Sequence, residues 1–536
     1  MPELKVSIDQ NEQCIPYEGG DISRSLKDIL DAEGITLPSD CGGVGKCGLC
    51  LVHIEAGECT PLSASEKTTL SGDELNRGCR LACQAKPLGD MSLSILKADN
   101  PAAWSELEAD GVTGNASASN KLGLAIDLGT TQIRATLWNL DSKVRIDGIT
   151  SLNPQAKFGA DVLTRLAAAK ASKLDADQLS LLASSAVGEA ARILVSRHGL
   201  VTTAIRSISV VANTAMLALL AGKHYENLLE IEQWQKPVDC VPESIYAWQQ
   251  AWGVATDAQI NLVQPLAGFV GSDLLAGVLS TNLTGSEDAA LLVDFGTNSE
   301  VALWDGQSLW VTSVPGGPAF EGSGLSCGVP MMEGAIYKIS GHGADDSLEL
   351  YVIGGAQAKG VCGSGLVDAI ACLLSIKALN PIGRLAEPYA KAGFPLDETS
   401  SIRIRNHDID LFQRAKGATG AAIVYLLEQA GLKQAALKRV CVTGAFGSGL
   451  DCRNASQIGL IPDVDSEIIE LYSDSALAGC EVLLVSAGGQ QRLSSLREKA
   501  RLINMSLAPE FDMLFVDNLF LKPLPKSGSS TTSMLE

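Results

Sequence analysis

Basic residues are scarce in this 536-residue chain: lysine and arginine number 41 against 62 aspartates and glutamates, a formal net charge of −21 at pH 7. That balance argues against a nucleic-acid partner, whose phosphates need a basic face, and is compatible with partners met through local patches. Long apolar runs are missing too, none reaching the roughly 18 residues a membrane-spanning helix requires. The opening Met1-Pro-Glu-Leu-Lys-Val6 has no charged stretch followed by an apolar core, so no secretory leader is expected. No G-x-G-x-x-G follows an apolar strand, so the chain lacks a dinucleotide fingerprint of its own. Histidine is rare, at five (His53, His198, His224, His342 and His407), and each reads as structural or surface. A hydrophobic content of 46% indicates packed cores, and the length exceeds what one core fills, so several domains are expected. Fourteen cysteines without a leader point to a reducing compartment, the cytoplasm.

The cysteines are not spread evenly. Cys41-Gly-Gly-Val-Gly-Lys-Cys47-Gly-Leu-Cys50 puts three thiols and four glycines within ten residues, spaced C-x5-C-x2-C. Iron–sulfur clusters are held by four thiolates, three close together and one distant in the plant-type pattern. Glycines suit a loop that wraps a cluster, since several positions need positive φ and backbone N–H groups must approach the sulfides. The distant thiol could be Cys79 or Cys83. A zinc ribbon would normally show two C-x2-C pairs, and here the second pair would be Cys79 and Cys83, one residue too far apart. Cys14 and Cys59 stand apart from the pattern. The segment Arg80-Leu-Ala-Cys83-Gln resembles the fourth-ligand segment of [2Fe–2S] ferredoxins, which implies Cys83. Leu4–Ile8 alternates as a half-buried strand, Asp21–Leu30 reads as an amphipathic helix, and Leu51–Ile54 and Met91–Leu96 read as further strands. This order resembles the β-grasp ferredoxin fold. Small polar residues around Asn115-Ala-Ser-Ala-Ser-Asn120 read as a linker.

A different pattern begins at Leu122. Leu122-Gly-Leu-Ala-Ile-Asp127-Leu-Gly129-Thr130-Thr131 runs from apolar strand into a glycine turn and a second strand ending at Trp138. Ala290-Leu-Leu-Val-Asp294-Phe-Gly296-Thr297-Asn298 repeats the order, ending at Trp304. Two hairpins of one design suggest two related halves facing a shared cleft. A Gly-Thr turn offers N–H groups and a hydroxyl to a phosphate, and the strand-end aspartate can hold Mg²⁺ directly or through water. Gly363-Ser364-Gly365 opens a helix, whose N-terminus suits an anion; the alternative is a sharp strand-to-helix connection without a ligand. Val440-Cys-Val-Thr443-Gly444-Ala-Phe-Gly447 is an apolar strand entering a glycine turn, a platform for an adenine ring. Residues 476–503 read as a packed helix pair, and 523–536 as a disordered tail.

Duplicated D-x-G-T hairpins followed by a later glycine turn resemble the actin, Hsp70 and sugar-kinase superfamily of ATPases. Joined to a [2Fe–2S] ferredoxin, they resemble the reductive activators of corrinoid-dependent enzymes. Asn153-Pro-Gln-Ala-Lys-Phe-Gly-Ala-Asp161, Ala212-Asn-Thr-Ala-Met216, the run 317–321 and Ile458-Gly-Leu-Ile-Pro462 all look like that family. Ser299 and Ala212 depart from it, each standing where glycine is expected. The resemblance implies a multidomain α+β and α/β architecture: a β-grasp [2Fe–2S] ferredoxin domain (1–98), a flexible linker (99–120), and a duplicated RNase H-like, actin-like ATPase (121–285 and 286–522). It implies a [2Fe–2S] cluster on Cys41, Cys47, Cys50 and Cys83, and ATP with Mg²⁺ in the cleft. Asp127 and Asp294 would be the magnesium-side acids. Gly129, Thr130, Thr131, Gly296, Thr297, Asn298 and the 363–365 turn would hold phosphates, and Gly444 and Gly447 the adenosine. The implied activity is ATP-dependent reduction of Co(II) to Co(I). No histidine sits in D-x-H-x-x-G, so the corrinoid belongs to a partner protein. The electron donor would be a separate low-potential protein, and a homodimer is implied by analogy. Two other readings remain. A dehydratase-activating ATPase would usually hold a [4Fe–4S] cluster between subunits, which the ferredoxin module speaks against. A redox-sensing small-molecule kinase would need a catalytic base that the sequence does not identify.

Overall fold

The computed structural model describes residues 2–8, 11–17, 24–35, 37, 43–45, 48, 50–70, 72–95, 104–107, 121–322, 324–342, 347–355, 357–396, 402–446 and 449–526. Cys41, Cys47, Gly447, most of the 99–120 segment and the tail beyond 526 lie outside these residues. The N-terminal unit contains β1 (Glu3–Ile8), β2 (Asn11–Pro16), α1 (Leu26–Ala32), β3 (Leu51–Ala56), α2 (Ala64–Thr69), β4 (Cys79–Leu81) and β5 (Met91–Ile95). Its mixed sheet runs β2-β1-β5-β3-β4, with β1 parallel to β5 and the other pairs antiparallel. Leu4, Val6, Leu26, Leu30, Val52, Leu81 and Leu93 form the core between sheet and α1. The helix expected from Asp21 starts at Leu26 instead. Ser25 accepts from the Asp28 N–H while the Asp28 carboxylate accepts from the Ser25 N–H, a reciprocal cap that fixes the first turn there.

Four residues of the expected linker are described, and they are anchored rather than free. Trp104 packs against the next domain's core. β6 (Ser105–Glu106) pairs with a strand of that domain, and the Leu107 N–H donates to the Gly148 carbonyl at 3.0 Å.

The next unit holds β7 (Leu122–Leu128), β8 (Gln132–Asn139), β9 (Val144–Leu152), α3 (Lys173–Arg197), β10 (Ile205–Val211), α4 (Thr214–Ala221), β11 (Gln259–Leu262) and α5 (Ser272–Ser280). Strands β7, β8 and β9 form an antiparallel meander, and β10 and β11 add in parallel on the other side, giving β11-β10-β7-β8-β9-β6. Among the described residues one helix, α3, is long and apolar enough by length and composition to cross a membrane. Its apolar face, from Ala176 and Leu179 to Leu194, is buried in the core beneath β7 and β8.

The last unit repeats the design: β12 (Ala290–Phe295), β13 (Ser299–Trp304), β14 (Leu309–Val314), α6 (Gly363–Ser375), α7 (Asn406–Gln429), β15 (Arg439–Gly444), β16 (Ile469–Leu471), α8 (Ser475–Val485), β17 (Ala500–Leu502) and α9 (Phe511–Asn518). Its sheet order, β16-β15-β12-β13-β14-β17, has the same meander and the same two parallel additions. The two sheets face each other across α5 and α8, the corresponding helices of the two halves, which pack together between them. The stretch expected as no more than a helix pair thus supplies a central element. The tail is pinned as far as it is described: Leu524 is buried and Gln434 donates to the Pro525 carbonyl.

Candidate functional site: a cysteine loop and a carboxylate-lined cleft

In the N-terminal unit the described glycines of the cysteine loop, Gly43, Gly45 and Gly48, have φ of 87°, 80° and 75°, the left-handed conformation such a loop requires. The described residues of the loop lie on the segment that follows β4. Gln84 donates to the Gly43 carbonyl at 2.7 Å, and a Cβ on Gly43 would sit 3.9 Å from that of Cys83. Thr69 donates to the Gly45 carbonyl at 3.0 Å, and the Ala82 N–H donates to the Cys50 carbonyl at 2.8 Å. Cys50, buried, and Cys83, half-buried, therefore lie at the same end of the β3–β4 pair. Cys79 is paired with His53 within the strands, and burial pushes its thiol up. Arg80 holds the segment from below, with bonds of 2.8 and 3.0 Å to the Glu66 carboxylate and another to the Cys59 sulfur. Burial opposes charge on Glu66, but the Arg80 hydrogen bonds outweigh it and keep the carboxyl below its usual range. The positive-φ glycines and the approach of Cys83 to the loop fit a wrapped [2Fe–2S] cluster.

The second site lies between the two sheets. Along β7 the residues Leu124, Ile126 and Leu128 face the outer core, whereas Ala125 belongs to the core between the sheets. Alternation therefore points Asp127 inward. Likewise Ala290 and Leu292 face inward on β12, and with them Asp294. Each strand then enters its glycine turn, and the two turns meet. The Thr131 hydroxyl donates to Glu321 Oε2 at 2.7 Å, the Thr297 hydroxyl donates to the same oxygen at 3.2 Å, and the two hydroxyls are 3.3 Å apart. Asn213, the N-cap of α4, donates to the Thr130 hydroxyl at 2.8 Å, and Asn153 donates to the Gly129 carbonyl at 2.8 Å.

Carboxyls crowd this cleft. Burial, then the charge of Asp474, pushes Asp127 up to about 6 against the opposing pull of Arg134. Burial, then Asp127, pushes Asp294 up to about 7. Asp273, at the start of α5, is raised by burial to about 7; Glu300 is raised well above its usual value by burial and by Asp273 and Asp294; burial also raises Glu321. A bound divalent cation would reverse this logic and favour the charged forms. Among the described residues no group of three or more such side chains is arranged to hold a metal directly. The Asp127 and Asp294 carboxyls beside the threonine turns are a donor set that suits Mg²⁺, which keeps several waters and binds through one or two carboxylates plus phosphates.

The other expected contacts divide. Gly444, with φ of 92°, abuts the end of β12: a Cβ there would collide with the Phe295 carbonyl and the Asp294 carboxylate, so the 444 turn lies against the cleft. The Gly296 N–H donates to the Asn298 carbonyl at 3.0 Å, closing the second turn, and a Cβ on Gly129 would press on the Gln132 carbonyl. Gly363, Ser364 and Gly365 are buried. Side chains at the two glycines would collide with the carbonyls of Phe320 and Ile336, and the Ser364 hydroxyl donates to the Tyr337 carbonyl at 2.8 Å. They pack the start of α6 against the segment that carries Glu321. Ser299 and Ala212 are both buried, and neither has the left-handed φ that would require glycine.

Sequence reasoning gave no role to Arg134, Asp273, Glu300, Glu321 or Asp474. A signal for two of them lies in the hairpins. Asp127 pairs across the ladder with Arg134, seven residues on, and Asp294 with Glu300, six residues on. The first turn is one residue longer, and the facing partner is a cation in the first hairpin and a carboxylate in the second.

A β-grasp ferredoxin domain joined to two RNase H-like sheets around a threonine- and carboxylate-lined cleft defines a ferredoxin-linked ATPase of the actin, Hsp70 and sugar-kinase class. Residues 288–531 match the family described as the C-terminal domain of RACo, the ASKHA domain; residues 122–286 match the RACo middle region, and residues 9–88 match the 2Fe-2S iron-sulfur cluster binding domain. The two RACo regions together span most of the chain, and the chain belongs to that family. It is similar to the corrinoid activation enzyme RamQ of Eubacterium limosum, at 24% identity over 97% of this chain and 99% of the relative. It is also similar to a [Co(II) methylated amine-specific corrinoid protein] reductase of Methanosarcina barkeri, at 24% identity over 68% of this chain and 70% of that one. A solved structure described as a reductive activator for corrinoid, iron-sulfur protein superposes with a TM-score of 0.66 at 23% identity, covering 98% of this chain and 99% of the other.

Proposed function

We propose that this protein is an ATP-dependent reductive activator that returns the cobalt of a corrinoid protein from Co(II) to Co(I). The observation that carries the reading is the presence, in one chain, of a cysteine loop folded onto Cys83 and a two-sided threonine and carboxylate cleft. The names of the two relatives, each matched over more than two thirds of its length, support it. Cys41, Cys47, Cys50 and Cys83 hold a [2Fe–2S] cluster, which when bound carries the single electron the cobalt receives. Asp127 and Asp294 would hold Mg²⁺, directly or through water. Thr130, Thr131, Thr297, Asn298 and the turns at Gly129 and Gly296 receive the phosphates, with Glu321 holding the two threonines together until nucleotide arrives. Gly444 and Gly447 back the adenosine, and the start of α6 at Gly363, Ser364 and Gly365 takes part in holding the phosphates.

The domain limits we assign are 1–98, 121–285 and 286–522, with 99–120 as connector and 523–536 as tail. The electron comes from a separate low-potential protein. The acidic balance supports the absence of a nucleic-acid partner and the cysteine content a cytoplasmic protein, we assign no membrane partner, and a homodimer is the assembly we assign. The test is anaerobic: purified protein, a Co(II) corrinoid protein and a low-potential reductant, with the Co(I) absorption followed with and without Mg-ATP. Co(I) should form only with Mg-ATP and should be lost in Cys83→Ser and Asp294→Ala. ATP hydrolysis and an intact cluster without Co(I) from any corrinoid partner would overturn the proposal.

A further inference from the structure

The duplicated halves differ in the charge that faces each strand-end aspartate. Where Glu300 faces Asp294 in the second half, Arg134 faces Asp127 in the first. Arg134 does not serve its own sheet alone. Nη1 lies 3.5 Å from Asp127 Oδ2, Nη2 donates to Gln132 Oε1 at 3.0 Å, and Nε lies 3.1 Å from Asp474 Oδ1. Asp474 is the residue before α8, the second-half helix that packs on β7, β8 and β10 of the first half and on α5. The guanidinium thus ties the magnesium-side aspartate of one half to the helix of the other. Asp294 and Glu321 also act on it, so four carboxylates share this cation. Both Arg134 and Asp474 side chains are 28% exposed, so the pair sits where an entering ligand can reach it. Arginine's planar fork matches phosphate as well as carboxylate. A divalent cation arriving at Asp127 would repel the guanidinium just as a phosphate offers it a new partner.

We propose that Arg134 is a nucleotide-sensing positioning residue. Without nucleotide it bridges Asp127 and Asp474; with ATP it takes the terminal phosphate and lets go of Asp474, freeing the start of α8 and with it the interface between the halves. The inference rests on the reading of the cleft as a Mg-ATP site. It supplies a physical link from phosphate to the helix that joins the two sheets.

Calorimetry with Mg²⁺ and either ADP or a non-hydrolysable ATP analogue tests it on the full chain. Arg134→Ala should weaken the triphosphate about 10- to 100-fold, as expected for one lost charge-assisted hydrogen bond, and ADP by less than about 3-fold. Arg134→Lys should recover only part of the loss, because it lacks the fork. Asp474→Asn should bind the triphosphate several-fold more tightly, since it removes a competitor for the guanidinium. In the wild-type protein, hydrogen exchange of residues 475–485 should rise with the triphosphate and not with ADP, a readout that needs no variant. Equal losses for both nucleotides in Arg134→Ala, no loss at all, or unchanged exchange at 475–485 would each overturn the proposal while leaving the cleft assignment in place. Failure of the wild type to bind Mg-nucleotide would overturn the cleft assignment first and the sensor with it.

Discussion

Without nucleotide or magnesium, the ATPase portion should lose stability as pH rises from 5.5 to 8, and Asp294→Asn should remove much of that loss. Asp294 is raised by burial, then by Asp127, to about 7, against about 3.9 in an unfolded chain. The folded state therefore holds a proton that the unfolded state releases. A carboxyl of this kind contributes stability that is fully present below about pH 4 and is lost as pH climbs through the folded value. From pH 5.5 to 7 that is about 2 kcal/mol from Asp294 alone, at 1.36 kcal/mol per unit. Asp127, raised to about 6, adds about 0.7 kcal/mol over the half unit above 5.5. Asp273 and Glu300 titrate with Asp294 as one group of neighbours, so the observed slope belongs to the cluster. Scanning calorimetry at fixed ionic strength would show the ATPase transition falling with pH. Mg-ATP should offset the fall increasingly toward pH 8, because the cation prefers the ionised carboxyls. An Asp294→Asn protein whose transition falls with pH as steeply as the wild type's would refute the reasoning.

Three further outcomes are expected. Cys83→Ser should abolish the visible absorption of a [2Fe–2S] cluster while Cys79→Ser keeps it, because Cys83 meets the loop and Cys79 is paired inside the strands; ATP hydrolysis should survive in both. Glu321→Ala should leave the Thr131 and Thr297 hydroxyls without their shared acceptor; it should lower thermal stability by about 2 kcal/mol and raise the KM for ATP, measured by a coupled ATPase assay. Lys416 is fully buried and donates at 2.6 Å to the carbonyls of Asn518 and Phe520. Lys416→Met should cost about 2–3 kcal/mol and expose α9 to limited proteolysis, with the cluster spectrum unchanged.

The strands, glycine turns and duplicated aspartates were legible because they are local. Alternation sets which face a residue joins, and Gly296 and Gly129 mark turns that a few residues decide. The same holds for the cysteine loop, whose positive-φ glycines were predictable from the need to wrap. What the sequence hid depends on distance or on competition. Arg134 and Asp474 are 340 positions apart and meet only because α8 returns between the sheets. Glu321 becomes a bridge only when both threonine turns face it. The first helix begins at Leu26 because Ser25 and Asp28 cap each other, which outweighs the amphipathic pattern from Asp21. Gly363 and Gly365 read equally well as phosphate turn or packing turn, and their close approach to the carbonyls of Phe320 and Ile336 depends on segments distant in sequence. The connector around Ser105 and the tail at Leu524 look polar and loose in sequence, yet each finds an edge or a groove to occupy.

The most direct measurement is a single-turnover one. Protein whose cluster has been reduced beforehand, freed of excess reductant, is mixed with a Co(II) corrinoid protein, and samples are frozen over time for electron paramagnetic resonance. The account predicts that with Mg-ATP the reduced-cluster and Co(II) signals disappear together, one for one, and that both persist without it. Loss of the Co(II) signal at the same rate without Mg-ATP, or in Cys83→Ser protein, would contradict it.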